Sequence, residues 1–205
     1  MSEPVFMKQI ILIFFVTLSI FGCKNSAQQA VKDKRQQEMQ NKENRVSPPM
    51  TAEAMIGGNQ VIINYGSPKV HAPDSTDRIG HIWGELVPYN EVWRTGANEA
   101  TTITFSKDVL IEGQPLERDI YSLFTIPTPE EWTVIFNLNE TQWGAFKYDA
   151  SEDALRVKAK PVAIDERQES LKFEILQDSI PDGGIVRLTW EKLQVDFHFK
   201  NAPEK

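Results

Sequence analysis

The sequence predicts an all-β protein, an antiparallel β-sandwich of about ten short strands across residues 48–200, and three observations point there. Short apolar runs alternate with a period of two. Clusters of Gly, Pro, Asn and Asp separate them. From residue 50 onward there is no sustained helical periodicity, apart from a turn expected at Thr51–Met55. A chain of 205 residues, 40% apolar and 25% charged, has room for one good core plus appendages. That composition excludes a wholly disordered chain, a collagen-like fibre and a multi-span membrane protein. Twenty-nine acids against 22 bases leave a net charge of -7, which disfavours nucleic-acid binding.

The first segment reads as an address. Ile10–Phe21 (IILIFFVTLSIF) is uncharged and apolar, but at about 12 residues it falls short of the roughly 20 that span a bilayer. With Lys8 as its positive flank it fits the core of a signal peptide over residues 1–22. The run ends in Ile20-Phe21-Gly22-Cys23, which resembles a bacterial lipobox, with Phe21 bulkier than is usual there. Gly22 is small enough for a signal peptidase to cut after it, and the Cys23 thiol would carry the lipid. Acyl chains contribute about 0.8 kcal/mol per buried methylene, so two or three hold a protein on a membrane far better than one. The plain alternative is a chance cysteine ending a general secretory signal. Cys23 is the single cysteine, so no internal disulfide can form, nor a zinc site of the usual cysteine kind. Residues 23–47 follow as the lipidated Cys23 and a polar linker with too few apolar residues to bury a face. Ser47-Pro48-Pro49 then stiffens the approach to the folded part.

The strands come next in order. Val61–Tyr65 is β-branched and aromatic and stops at Gly66-Ser67-Pro68. Thr101–Ser106 and Val109–Glu112 flank Lys107-Asp108, which reads as a tight hairpin, and Gly113-Gln114-Pro115 closes the second run. Asp119–Ile126 ends at Pro127, and Trp132–Leu138 follows a short polar connection. Leu155, Val157 and Ala159 alternate with bases, as Leu171, Phe173 and Ile175 do with charged residues. Val186, Leu188 and Trp190 hold one phase, whereas Leu193, Val195, Phe197 and Phe199 hold the other. A turn or bulge is therefore expected at Glu191-Lys192. The tail is residues 201–205. The tryptophans at 83, 93, 132, 143 and 190 read mostly as core material.

Common catalytic motifs are missing: no Gly-x-Ser-x-Gly elbow, phosphate-cradling loop or His-Glu-x-x-His pair occurs, and no cofactor is expected. His198 alternates with Phe197 and Phe199 and should face solvent. His71, Asp74, Asp77 and His81 offer metal-type ligands within a short loop, but their spacing matches no compact metal motif. A hydrated surface loop is the plainer account. The most unusual stretch is Gly80–Thr101, where aromatics and charges mix and strand alternation fails. Such segments build ligand pockets, with aromatics supplying area and an Arg fork supplying orientation. The competing account pairs Arg94 with Glu85 or Glu99 to pin a long connection.

Several strings together resemble a known family: Tyr65-Gly66-Ser67-Pro68; Trp83-Gly84-Glu85-Leu86-Val87-Pro88-Tyr89; Val92-Trp93-Arg94-Thr95-Gly96-Ala97-Asn98-Glu99-Ala100-Thr101; Tyr121 to Pro127; and Trp132 to Asn137. They are similar to the bacterial family called domain of unknown function 2911, over roughly Ser47 to Lys200. Trp-Arg-Thr-Gly-Ala-Asn is the most distinctive string. The resemblance implies a secreted or lipid-anchored envelope protein and no particular activity. The chain departs from the family pattern at residues 71–81, where the link is longer and acidic.

Two functions follow as expectations. The first is a non-enzymatic lipoprotein of the cell envelope, held to the membrane by its N-terminal lipid and binding a small molecule, glycan or protein. Its site would be Tyr65, Trp93, Arg94, Asn98, Glu99 and Tyr121, with Arg94 gripping an anion or carbonyl and Trp93 as an apolar wall. The second is a hydrolase-like enzyme working through His81, Glu85 and Glu99, with or without a metal, which requires those groups to converge on one substrate atom.

Overall fold

The computed structural model describes Lys32, Asn41 and residues 44–71 and 77–203. The leader, Cys23, most of the polar linker and Asp74 lie outside the described residues. The compact unit runs from Arg45 to Lys205.

Among the described residues ten strands build it: β1 (Pro49–Ile56), β2 (Asn59–Gly66), β3 (Thr102–Phe105), β4 (Val109–Ile111), β5 (Gln114–Leu116), β6 (Ile120–Ile126), β7 (Trp132–Asn137), β8 (Asp153–Ala159), β9 (Pro161–Gln177) and β10 (Gly183–Asn201). Every pairing between them is antiparallel. One sheet has six strands in the order β1-β2-β3-β6-β7-β8, and the other four in the order β5-β4-β10-β9. The all-β sandwich is thus the fold. Prolines sit where a missing N–H does least harm: Pro49, Pro115 and Pro161 all lie on edge strands.

Four local expectations change. Thr51–Met55 is part of β1 rather than a turn, because it pairs residue for residue with Gln60–Asn64 across a two-glycine turn at Gly57-Gly58. Both glycines have positive φ, 54° and 73°, which suits the hairpin turn that right-twisted strands prefer. Lys107-Asp108 does not close a hairpin. β3 stays in the six-stranded sheet between β2 and β6, whereas β4 pairs with β5 and β10, so the chain changes sheets there. The tight turn lies at Glu112-Gly113, with φ of 47° and 80°, and Gln114-Pro115 belongs to β5. Finally, not all strands are short: β9 has 17 residues and β10 has 19.

The long pair stays in register only by absorbing extra residues. Its register shifts on either side of Glu191, whose φ is 54°, and this bulge carries β10 from one inward phase to the other. Val186, Leu188 and Trp190 before it, and Val195, Phe197 and Phe199 after it, are all buried in the shared core. The inward faces of both sheets meet there. Trp83, Trp93, Trp132 and Trp190 gather at one place in that core. Trp83 stands edge-on to the other three, and Trp93 stacks on Trp190 at 6.2 Å. Edge-to-face pairs of this kind add about 0.5–1.5 kcal/mol beyond their area.

The opposite face of the six-stranded sheet carries a smaller cluster. Ala100, Phe124 and Ile135 are buried beneath Val92, Ile126, Ala145 and Tyr148. Two irregular segments, residues 92–100 and 139–149, cover this face, and they form the candidate site.

Candidate functional site

The site is positioned by a short extension of the β3 line. Beyond β3, the neighbour of β6 is Trp93, whose N–H donates to the Thr125 carbonyl (2.7 Å) and whose carbonyl accepts from the Thr125 N–H (2.9 Å). In an extended segment successive side chains point to opposite faces, so Trp93 enters the tryptophan cluster and Arg94 turns toward the outer face. The chain then tightens. Thr95 and Asn98 have φ of 54° and 65°, costly for a β-branched residue such as Thr95 and cheaper for Asn. Thr95 is fully buried. Its hydroxyl bonds the Trp93 carbonyl and the Thr125 hydroxyl, both at 3.2 Å, and its carbonyl accepts from the Thr101 hydroxyl at 2.9 Å. This turn docks on the end of β2, where the Ala97 N–H donates to the Gly66 carbonyl (3.2 Å). A Cβ on Gly66 would overlap the Ala97 carbonyl, so the docking needs a glycine there.

The second segment lies alongside. The Ala100 N–H donates to the Gln142 carbonyl (3.0 Å), the Gly144 N–H donates to the Asn98 carbonyl (3.0 Å), and Glu99 and Trp143 are bridge partners. The Tyr148 hydroxyl, bonded to Asp153 at 2.6 Å and accepting from Arg156 at 2.6 Å, ties the far end of the segment to β8. Gly144 has φ of 66°, and a Cβ there would lie 3.7 Å from Nη1 of Arg94 and 3.0 Å from the Phe146 ring.

The Arg94 guanidinium therefore sits by a bare glycine and a phenylalanine that is 83% exposed. Arg94 is partly buried, and its Nε is buried with no hydrogen-bond partner. Burial lowers its pKa, and no carboxylate offsets that. Among the described residues, neither expected carboxylate pairs with it. Glu85 bonds His81 at 2.9 Å, and Glu99 accepts from Arg45 at 2.6 Å. The Arg45 guanidinium also lies 5.6 Å from the centre of the Trp143 ring, which is 57% exposed. Asn98 donates to the Ser47 carbonyl at 2.9 Å, so this segment also receives the start of the compact unit.

Of the expected site residues, Arg94, Asn98 and Glu99 come together on one short segment. Tyr65, Trp93 and Tyr121 are directed elsewhere. Tyr65 is buried edge-on to Phe173 and accepts from its N–H at 3.3 Å. The Tyr121 hydroxyl donates to the Glu117 carbonyl at 2.8 Å. Trp93 lies between the sheets and donates to the Gly96 carbonyl at 3.2 Å, so it is not the apolar wall beside Arg94. The aromatic ring at Gly144, on the side where Arg94 Nη1 lies, is that of Phe146, and the exposed Trp143 precedes that glycine. The signal for them was present in Trp143-Gly144-Ala145-Phe146, an aromatic pair around a glycine in a stretch without strand alternation.

The histidines fall outside this site. His71 bonds Glu169 at 2.9 Å and lies 4.0 Å from Asp77, while the His81 ring bonds Glu85; among the described residues no three metal-type ligands gather. His198 is exposed on β10 and bonds Asp178 at 2.8 Å. Between the sheets, a cavity of about 10 Å³ lined by Thr95, Thr125, Trp132 and apolar neighbours has room for about one water.

A family model described as "Protein of unknown function (DUF2911)" matches residues 47–199. No curated protein and no solved structure matches the chain.

Proposed function

This chain belongs to the DUF2911 family, and from that premise we propose that it is a lipoprotein of the bacterial cell envelope whose β-sandwich binds a small molecule, glycan or protein through an anionic group. One observation carries the binding reading: Arg94 keeps a partly buried positive charge, with a buried and unpartnered Nε, and among the described residues no carboxylate pairs with it. An uncompensated charge held away from water is costly. A ligand carboxylate, phosphate or sulfate on its outer N–H groups would offset that cost, with Phe146 as the apolar wall. The strained φ of Thr95 and Asn98, next to Arg94, supports the same place, since such strain gathers at ligand sites.

The envelope part rests on the sequence: the apolar leader, Gly22-Cys23 and the polar linker. Mass spectrometry of the mature N-terminus should find a lipid-modified Cys23, and Cys23→Ala should release the protein from membranes. Unchanged membrane retention of that variant removes the anchor.

The binding part is tested by thermal shift with acetate, phosphate and sulfate, where a ligand at 100 times its Kd adds about 2.7 kcal/mol. Arg94→Met, similar in length and uncharged, should abolish the shift while melting as the wild type does. If no anion raises the melting temperature, or if Arg94→Met leaves the anion response intact, the reading fails.

A further inference from the structure

We propose that the turn carrying Trp143 and Phe146 rests on a lipid bilayer at the level of the headgroups, and so holds the anchored body with the outer face of its six-stranded sheet toward the membrane. The inference rests on the lipid anchor at Cys23 and is independent of the anion reading of Arg94.

Single exposed apolar side chains are ordinary, whereas several held together by the backbone mark a contact surface. Trp143 is 57% exposed and Phe146 83%, and Leu138, at the start of the same segment, is exposed too. The backbone fixes this arrangement. The Gly144 N–H donates to the Asn98 carbonyl (3.0 Å), and the Tyr148 N–H donates to the Ala145 carbonyl (3.2 Å), closing the turn on both sides of Phe146. Ala145 and Tyr148 take the inward places, packed on Ala100, Phe124 and Ile135, which leaves the Trp143 and Phe146 rings outside.

The point where the chain enters the compact unit selects the occupant. Arg45 opens that unit, and its guanidinium lies 5.6 Å from the centre of the Trp143 ring. The exposed Val46 follows it, and Ser47 accepts from Asn98. Cys23 lies 22 residues before Arg45, a reach of at most about 75 Å. With a lipid on Cys23, the face at the entry point meets the bilayer across the shortest span, whereas any other face requires the chain to pass round the body as well. The shorter span costs less entropy.

The chemistry of the face fits an interface rather than an anionic surface. Aromatic rings settle at headgroup level. Arg156 and Lys158 share the sheet's outer face with Ile135, but they pair with Asp153 and Glu131, and the exposed Lys147 lies between the exposed Glu140 and Asp149 in the sequence. A zwitterionic bilayer therefore suffices. Two rings are too little to hold the protein alone, so the contact orients a body that the lipid retains.

Spin labelling of the full lipid-modified chain in phosphatidylcholine vesicles tests this. With Cys23 acylated, a cysteine placed by Phe146→Cys is the only free thiol, and Lys172→Cys, exposed on β9 of the other sheet, is the control. The label at 146 should collide more with oxygen, which dissolves in lipid, than with a water-soluble nickel complex; the label at 172 should do the reverse. Trp143→Ala should move the label at 146 toward the control. Equal water access at both positions overturns the docking and leaves the anchor standing. Spin–spin broadening at 146 that grows with protein density, with both quenchers excluded, means that a second copy covers the turn and also overturns it. If Cys23 takes up label as well, the anchor falls and this inference falls with it.

Discussion

A guanidinium with one buried, unpartnered nitrogen and, among the described residues, no paired carboxylate is poor material for stability. Arg94→Met should therefore keep wild-type stability to within about 1 kcal/mol, or exceed it. Urea unfolding checks this, and a loss above about 3 kcal/mol would mean that Arg94 holds the fold through contacts of its own. Two tyrosines make a second prediction. Burial pushes the Tyr148 phenol up to about 12, helped by its bond to Asp153, and burial beside Asp119, Glu117 and Asp108 pushes Tyr121 up to about 12. In the unfolded chain a phenol ionises near 10. The folded state thus holds these protons longer; the stability they add is complete below about pH 10 and is lost as pH rises toward 12. The melting temperature should fall across that window, and Tyr148→Phe should flatten the fall. A melting temperature constant from pH 9 to 12 contradicts the assignment.

The segments that carry the site depend on close backbone contacts. Residues 95–98 lie against the end of β2 because Gly66 has no side chain to meet Ala97, and Gly96 faces the Thr101 hydroxyl and the Gly66 carbonyl in turn. Gly66→Ala should cost about 2–3 kcal/mol by forcing these segments apart. It should also weaken anion binding, which a titration separates from the stability loss. A variant as stable as the wild type would show that the turn can relax without Gly66. Elements were partly readable before folding. The phase change at Glu191-Lys192 announced a bulge, because two inward phases on one strand need an extra residue. The Lys107-Asp108 connection misled for a related reason: two strands separated by two residues look like a hairpin whether they pair or part. Trp93 and Arg94 could have been separated by the same alternation, since neighbours on an extended segment face opposite ways.

Across the whole molecule the two sheets share one core, and the tryptophan cluster joins both of them to the covering segments. Trp83 comes from a connection, Trp93 from the site segment, Trp132 from β7 and Trp190 from β10. Trp190→Ala should cost about 3–5 kcal/mol and lower the single unfolding transition as a unit. Independent melting of the two sheets, seen as separate transitions by fluorescence and circular dichroism, would argue against a shared core.

By itself the sequence determined the all-β sandwich and the family, because a pleated strand writes its two-residue period into local order and the Trp-Arg-Thr-Gly-Ala-Asn string is read without knowing what it touches. Tertiary structure alone decided which strands pair, that Glu99 meets Arg45, and that among the described residues neither Glu85 nor Glu99 pairs with Arg94. Those outcomes depend on partners far apart in the chain, such as Arg45 with Glu99, or Gly144 with Arg94. Such partners meet only after both sheets have buried their inward faces, and no local pattern records the meeting.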